Sequence, residues 1–303
     1  MRLKLGHFAV GALLASATLL FASKACAQNP DSMMPEASAA KAKQILSDLI
    51  NARGAAGYLG ATEGECTGTR AVFGHNEQVT GYIAFTDSRQ YPDKQRMEYA
   101  AKSHNLKGIL NTVLGVEGLD WSHGGIVIAL YNGDQGWTLD RSGITELPVT
   151  STAEFQEQTK RNIDNVLRVR LKNEQGWLYR FGGSDTVDLK EVDWVELSDA
   201  EGRQFRLAVD HNTRLLVRSK VTTENEETRE RDDDVTIYTN YQLKDTIWTP
   251  MQISRDHNGR RVSQFFYTSC RYNPGFPSDF FEKSSLAKKT SEAGVKKSKA
   301  DQN

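Results

Sequence analysis

Cysteine pairs, histidine motifs and long apolar runs are scarce in this sequence, and each scarcity excludes a class of protein. The 303 residues contain three cysteines and six histidines. They form no Cys-x-x-Cys and no His-Glu-x-x-His spacing, so the common signatures of redox catalysis and of zinc sites are missing. After residue 27 no apolar run reaches the roughly 20 residues that a membrane-spanning helix needs.

Signatures of nucleophilic and phosphate chemistry are missing as well. Ser184 follows two glycines in "FGGSDT", but the closing glycine of a Gly-x-Ser-x-Gly elbow is absent, and the pattern is typical of a turn. No glycine-rich phosphate loop occurs. The acidic run Asp232–Asp234 lies in "TENEETRERDDD", whose mixed charge signs are typical of a solvated hairpin tip rather than of a calcium site. The sequence therefore predicts no catalytic residue, no metal and no cofactor.

The chain ends predict export. Residues 1–27 combine the basic start "MRLKL", an apolar run and a small-residue Ala-x-Ala site ending at Ala27, which is the order of a cleaved secretory signal. We expect a flexible lead-in at residues 28–35, one folded domain at 36–283 and a disordered basic tail at 284–303, "KKTSEAGVKKSKADQN" being its most basic part. The predicted location is periplasmic.

The charge of the chain excludes a nucleic-acid partner. Separately, the two cysteines that remain after the signal predict a disulfide. Removing Arg2, Lys4 and Lys24 with the signal takes the formal net charge from -1 to -4, without a basic patch over the folded part. Cys66 and Cys270 then remain, and in an oxidising compartment such a pair is expected to form a disulfide. Two separate buried thiols are the alternative.

Periodicity predicts a protein of two amphipathic helices and many antiparallel strands. Residues 36–52 carry apolar side chains at helical spacing, and Gly54 follows them. A second helix is predicted over 151–173, with Ser151 or Thr152 as its cap. From residue 177 onward apolar and polar residues alternate between short turns, which indicates half-buried antiparallel strands.

The stretch "YNGDQGWTLDRSGITELP" belongs to this sheet. Strands are predicted at Ile126–Asn132 and Gly136–Asp140, with a turn between them. Trp137 then begins the second strand, and we expect its ring on the face that the helices cover.

Five stretches carry a resemblance to a known family: "YPDKQRMEY", "NGDQGWTLDRSG", "FQEQTKRNIDNVLRVRL", "VDWVELSDAEGRQFRLAVD" and "YNPGFPSDFF". With their order along Lys41–Phe281, the chain resembles the LolA-like superfamily, which includes periplasmic lipoprotein carriers and related sensor domains. The resemblance implies an α+β fold: a strongly curved antiparallel sheet, a half-barrel, with amphipathic helices packed on its concave face. It also implies binding of acyl chains, without a reaction or a cofactor. Residues 104–125 are longer than this family pattern requires.

The predicted function is a non-catalytic periplasmic carrier that binds a lipid or an acylated lipoprotein in an apolar cleft. The alternative is a sensor or interaction module that regulates a partner protein in the inner or outer membrane. An exported hydrolase is a third hypothesis, which would require ionisable groups converging in one pocket. The candidate cleft residues are those expected on inward-facing strand and helix positions: Trp137, Leu139, Phe155, Ile163, Leu167, Phe205, Ile253 and Phe265.

Overall fold

The computed structural model describes residues 32–73, 77–101, 125–224 and 229–295. The predicted signal sequence and nearly all of the 104–125 segment lie outside the described residues. The helices are α1 (Pro35–Arg53), α2 (Ala55–Gly60), α3 (Val149–Arg161), α4 (Ile163–Asn165), α5 (Leu171–Asn173) and α6 (Lys283–Ala287), with a π-helical turn (Val166–Arg170) between α4 and α5.

The described strands form one large antiparallel sheet with two free edges. They are β1 (Glu63–Phe73), β2 (Val79–Gln90), β3 (Lys94–Ala101), β4 (Gly125–Asn132), β5 (Gln135–Asp140), β6 (Gly143–Glu146), β7 (Leu178–Val187), β8 (Lys190–Ser198), β9 (Gln204–Asp210), β10 (Leu216–Glu224), β11 (Arg231–Lys244), β12 (Ile247–His257) and β13 (Arg260–Tyr272). Their order is β6-β5-β4-β3-β2-β1-β13-β12-β11-β10-β9-β8-β7, so the sheet has 13 strands and does not close. The predicted antiparallel sheet is confirmed.

The sheet consists of two meanders that meet where β1 pairs with β13. Each other neighbour in the sheet is also a neighbour in sequence, as short connections require. At the junction Cys66 lies opposite Cys270 with their Cα atoms 4.1 Å apart, and the two residues form a disulfide. The predicted bond is confirmed, and it links the two strands that join the meanders.

The first predicted helix is confirmed with one more residue at each end. Pro35 takes its first position, where a missing backbone N–H is harmless. Gly54 ends it at φ 128°, a conformation that a side chain rarely adopts, and a Cβ there would lie 2.4 Å from the Thr246 carbonyl oxygen. Of the predicted apolar stripe, Ala42, Ile45, Leu46 and Leu49 are buried and Ile50 is half-buried.

The second predicted helix is divided in the structure. It begins at Val149, directly after Pro148, so the predicted caps are wrong: Thr152 instead donates its hydroxyl to the Val149 carbonyl. At Asn162 the backbone leaves the helical region, and the Asn162 side chain accepts the Asn165 N–H to start α4. A short polar side chain that caps a new helix explains the break.

The two faces of the sheet have different coverage. One face, called the helix face, carries the strand residues that pack with α1 and with the 163–173 segment, for example Leu197 and Phe205. The opposite face of β4 and β5 packs against the segment that follows β13, and the opposite face of β8 and β9 has its own small cluster around Trp194.

The prediction of a disordered tail from residue 284 is wrong for residues 284–295. Leu286 in α6 and Ala293 are fully buried, and they pack in one cluster with Leu130 and Trp137. The Arg96 guanidinium also donates to the Ser285 hydroxyl at 2.8 Å. A few apolar residues spaced along a polar segment are enough to dock it, because each covers an apolar strand residue. Residues 296–303 lie outside the described residues.

Replacing Leu286 by alanine is expected to lower the free energy of unfolding by about 2–5 kcal/mol, because it leaves a cavity against β4 and β5. The matched control is Leu189→Ala: Leu189 is 98% exposed, and this change should have an effect within about 0.5 kcal/mol. Urea unfolding followed by tryptophan fluorescence measures both. Equal stability of the two variants would contradict the docking of this segment.

Candidate functional site

The structure places six of the eight predicted cleft residues on the helix face or on the helices that cover it. Ile163, Leu167 and Phe205 belong to the large cluster that α1 shares with β7–β10. Ile253 and Phe265 belong to a second cluster on the same face. Phe155 of α3 stacks on Tyr131, with ring centroids 4.2 Å apart. Whether a ligand contacts any of them stays a prediction.

Trp137 and Leu139 lie on the opposite face, so their placement in the cleft is wrong. In the register of β4 with β5, Leu130 pairs with Trp137 and Ile128 with Leu139. All four side chains pack with Phe281 and Leu286 of the C-terminal segment. Successive strand residues point to opposite faces of a sheet. The two-residue turn at Gly133 and Asp134 therefore decides which alternate residues of β5 lie on the helix face.

The second cluster is the candidate ligand surface. Its buried members are Ile83, Phe85, Met97, Tyr99, Val127, Leu147 and Phe265, and half-buried Tyr131, Ile253 and Tyr267 pack against them. Apart from Leu147, all of these lie on strands β2, β3, β4, β12 and β13. Phe155 of α3 joins the cluster by stacking on Tyr131.

Helix α3 contacts two distant strands of the sheet. Near its middle Phe155 stacks on Tyr131 of β4. At its end the Arg161 guanidinium donates to the Asp234 carboxylate of β11 at 3.0 Å. Asp234 also bonds to the His257 ring at 2.9 Å. The helix therefore connects the two meanders over the helix face.

Three arginines project from the helix face beside the second cluster. The guanidinium carbons of Arg70 on β1 and Arg255 on β12 lie 4.9 and 5.2 Å from the centre of the Phe265 ring. Arg89 on β2 is held by the Asp87 carboxylate, with Nε–O distances of 3.1 and 3.0 Å. This part of the helix face thus combines apolar side chains with charged groups.

A partly buried ionic network lies where α2 and α4 meet. The Asp164 carboxylate accepts the Tyr58 hydroxyl at 2.7 Å and an Arg53 N–H at 3.3 Å. Arg168 lies 4.1 Å from the centre of the Tyr58 ring and donates to the Ala61 carbonyl at 2.7 Å. Burial opposes the charge on Asp164, yet Arg53 and Arg168 outweigh it and lower the pKa of this carboxyl.

Burial also raises the pKa of the tyrosines in this region. The effect takes the pKa of Tyr91 to about 12, and Arg168 lies 4.9 Å from the centre of its ring. These phenols therefore stay protonated at neutral pH and act as hydrogen-bond donors and as ring surfaces for the arginines.

A cavity of about 560 Å³ opens at the end of α1, between the β9–β10 and β11–β12 hairpins. Leu216, Val217 and Trp248 give it an apolar wall, and Lys190 and Asp210 lie at its polar side. Tyr241 closes one side by donating its hydroxyl to the Leu216 carbonyl at 2.8 Å. Its size is within the range of small-molecule pockets.

The sequence prediction does not include the charged residues on the helix face. Arg255 is two residues from Ile253 on β12, and Asp87 and Arg89 are two and four residues from Phe85 on β2, so they point to the same face of the sheet. This alternation was the available signal. A charged residue within an alternating strand is ordinarily assigned to the solvated face, so the pattern by itself predicts the opposite placement.

Metal binding and membrane spanning find no support in the described part of the chain. No group of three or more His, Cys, Asp or Glu side chains is placed there to hold a metal ion. Among the same residues, no helix has the length and apolar character that crossing a membrane requires.

An open antiparallel sheet with most of its helices on one face defines a class of folds rather than a single protein, and comparison with solved structures identifies the fold. A DUF1329 family protein from Desulfovibrio piger is 12% identical, with a TM-score of 0.52 over 82% of this chain and 99% of that one. A putative outer membrane lipoprotein-sorting protein domain from Vibrio parahaemolyticus is 9% identical, with a TM-score of 0.50 over 84% and 99%.

A LolA superfamily protein from Nitrosomonas europaea is 11% identical, with a TM-score of 0.49 over 81% and 99%. No protein-family model and no curated protein sequence matches the chain. At such identities a structural likeness shows the fold alone. The protein has a LolA-like fold, as the sequence predicted.

Replacing Asp164 by asparagine is expected to lower the free energy of unfolding at neutral pH by about 1–3 kcal/mol, because Arg53 and Arg168 lose their carboxylate. The control is Asp134→Asn in the exposed β4–β5 turn, with an expected effect within about 0.5 kcal/mol. Urea unfolding measures both. Equal free energies of unfolding in the two variants would show that the Asp164 carboxylate does not stabilise the fold.

The same comparison has a predicted pH dependence. The folded-state pKa of Asp164 is lowered, so its contribution is present above the unfolded-state pKa of about 3.9 and is lost as the pH falls through the folded-state value. The stability gap between wild type and Asp164→Asn should be full at neutral pH and shrink below about pH 4. A gap that grows on acidification would show that the sign is wrong.

Proposed function

We propose that the protein is an exported, periplasmic, non-catalytic carrier that binds the acyl chains of a lipid or of an acylated lipoprotein. The binding surface is the second cluster on the helix face, with α3 as its cover. Phe155, Ile253 and Phe265 are the predicted cleft residues that lie at this surface. We propose that Ile163, Leu167 and Phe205, which pack with α1, border it.

One observation carries this proposal: the second cluster takes its buried apolar side chains almost entirely from one face of the strands. The first cluster takes its members from α1, from the 163–173 segment and from the strands, as an ordinary protein core does. The second takes them from five strands and Leu147. An apolar strand surface beside a crossing helix is the kind of place where hydrophobic ligands bind.

The contacts of α3 support a concave helix face. Six strand spacings separate β4 from β11 in the sheet, which is about 29 Å if the sheet is flat. Phe155 and Arg161, which contact these strands, are six residues apart, about 9 Å along the helix. The four side chains in these two contacts, of Phe155, Tyr131, Arg161 and Asp234, must also bridge the height of about 10 Å between the sheet and the helix. They cannot reach a further distance of about 20 Å sideways as well, so we infer that the sheet curves around α3.

The energetics suit an acyl ligand. Each methylene group that leaves water contributes roughly 0.8 kcal/mol. A chain of about a dozen buried methylenes therefore exceeds the several kcal/mol that association and ordering cost. Because the interaction is non-directional, it needs neither a catalytic residue nor a cofactor.

The second candidate is an interaction module that regulates a membrane-protein partner. It is favoured by Leu243 and Trp248, which pair across β11 and β12 and are 55% and 41% exposed. Trp248 also borders the 560 Å³ cavity, so an apolar partner side chain has a recess to enter. Loss of partner binding in Trp248→Ala with unchanged lipid binding would favour this candidate.

Native mass spectrometry of protein purified gently from a periplasm tests the carrier function. A discrete added mass that extracts into organic solvent as an acylated molecule is the expected result. If no such mass is found and added fatty acids and phospholipids also fail to bind, the carrier function is wrong.

Replacing half-buried Ile253 by glutamine is expected to weaken binding of a fluorescent fatty acid about tenfold, because a polar amide then faces the acyl chain. The control is Val262→Gln on β13, where the side chain is 45% exposed and the affinity should not change. Fluorescence titration measures both. Unchanged affinity in Ile253→Gln would place the ligand elsewhere.

A further inference from the structure

Arg255 is a charged side chain without a counter-ion among the described residues. It is half-buried on the helix face of β12. Its contact is the Phe265 ring, 5.2 Å from the guanidinium carbon, and it forms no hydrogen bond or ion pair with any residue that the structure describes. A partly buried guanidinium ordinarily has a carboxylate or several carbonyl partners, because its five N–H groups need acceptors.

The charged neighbours of Arg255 have the same sign. After desolvation, repulsion from Arg89 contributes most to lowering the pKa of Arg255, and Arg70 adds to it. Asp87 accepts two bonds from Arg89 and a third from Gln95 at 2.8 Å, so this carboxylate is already engaged. The free protein therefore holds a positive charge where its surroundings oppose one.

We propose that the ligand of this cleft is amphiphilic and carries an anionic group, a phosphate or a carboxylate, which Arg255 binds together with Arg70 and Arg89. The inference rests on the proposed function, because it assigns the ligand class of the same cleft. The anion supplies the acceptors that Arg255 lacks, and planar guanidinium groups suit the oxygen pairs of phosphates and carboxylates.

Phe265 lies between the surface proposed for the acyl chain and the arginines proposed for the anionic group. Its ring belongs to the second apolar cluster, where Phe85 meets it edge-on at 5.4 Å. The guanidinium groups of Arg70 and Arg255 lie over the same ring. A ligand whose acyl chain lies on the cluster thus has its polar end beside the arginines, within the length of one side chain.

The excess of positive charge extends across this part of the helix face. Arg89 also influences the pKa of Asp164 in the neighbouring network, so the two sets of charges act on each other. Leaving Arg70 aside, these sets contain among the described residues four guanidinium groups, of Arg53, Arg89, Arg168 and Arg255, and two carboxylates, of Asp87 and Asp164. This excess attracts an anion into a partly desolvated space, where charge interactions are stronger than in water.

Isothermal titration calorimetry of the purified protein with two short-chain lipids tests the proposal. Dioctanoyl phosphatidylglycerol and dioctanoyl phosphatidylcholine have the same acyl chains, but only the first has a net negative headgroup. The wild type is expected to bind the anionic lipid about tenfold more tightly or better. Arg255→Gln should lose this preference and keep its affinity for phosphatidylcholine, while Arg255→Lys should retain part of it.

The matched control is Arg206→Gln, which removes the same charge from the opposite face, where Arg206 lies over Trp194 at 4.2 Å. This variant should keep the full preference. Inorganic phosphate, titrated alone, distinguishes the source of the anion. It should bind far more weakly than the anionic lipid, whereas equal affinity for phosphate would overturn the assignment to a lipid headgroup.

The thermal unfolding of ligand-free Arg255→Gln separates a binding role from a structural one. Because Arg255 is repelled by its neighbours, this variant should unfold at the same temperature as the wild type or higher. A lower unfolding temperature, together with an equal loss of affinity for both lipids, would overturn the proposal.

If the wild type binds both lipids with equal affinity, the inference fails and the carrier function stands. If neither lipid binds, the carrier function fails as well.

Discussion

The pairing of β1 with β13 is the constraint on which the rest of the described structure depends. It joins two meanders that otherwise form by local strand pairing, and it aligns them so that Phe265, Tyr267 and Tyr272 share a face with Arg70. The Cys66–Cys270 disulfide crosses this pairing with a sequence separation of 204. Closing so long a loop costs conformational entropy, and a covalent link reduces that cost by restricting the unfolded chain.

The same alignment creates two kinds of apolar surface on one face. Where α1 and the 163–173 segment cover the sheet, their aliphatic side chains interdigitate with those of β7–β10 and make a core. On the other part of this face the Phe155 ring of α3 stacks on Tyr131 of β4, and Arg161 at the end of α3 reaches Asp234 of β11. The break at Asn162 makes this possible, because it lets α3 and the following helical segment take different directions.

Charge gives the helix face a chemistry that hydrophobicity alone does not predict. Arginines beside aromatic rings tolerate partial burial, since the ring faces attract the cation and the long side-chain stems pack as apolar groups. Asp164 and Asp87 compensate some of these cations, and Arg255 is left with like-charged neighbours. Such an arrangement costs stability in the free protein and suits the binding of an anionic amphiphile.

The opposite face shows why a polar C-terminal sequence need not be disordered. The segment after β13 has few apolar residues, and the composition of its basic end is that of a solvated tail. Phe281 and Leu286 nevertheless find a matching apolar surface on β4 and β5, which composition cannot reveal. Disorder follows from having nothing to bury against, and only the partner surface decides that.

Local patterns by themselves determined the helix at 36–52, the turn at Gly133, the antiparallel sheet and the pairing of the two cysteines, because these depend on short-range periodicity, turn chemistry and the number of available thiols. The resemblance added the LolA-like fold. Tertiary structure alone decided what each set of alternate strand residues packs against. It put Trp137 and Leu139 on the face opposite the helices, and Arg70, Arg89 and Arg255 on the helix face. A period of two residues tells which side chains share a face, but whether that face meets a helix, a docked segment or a ligand depends on contacts between residues far apart in the chain.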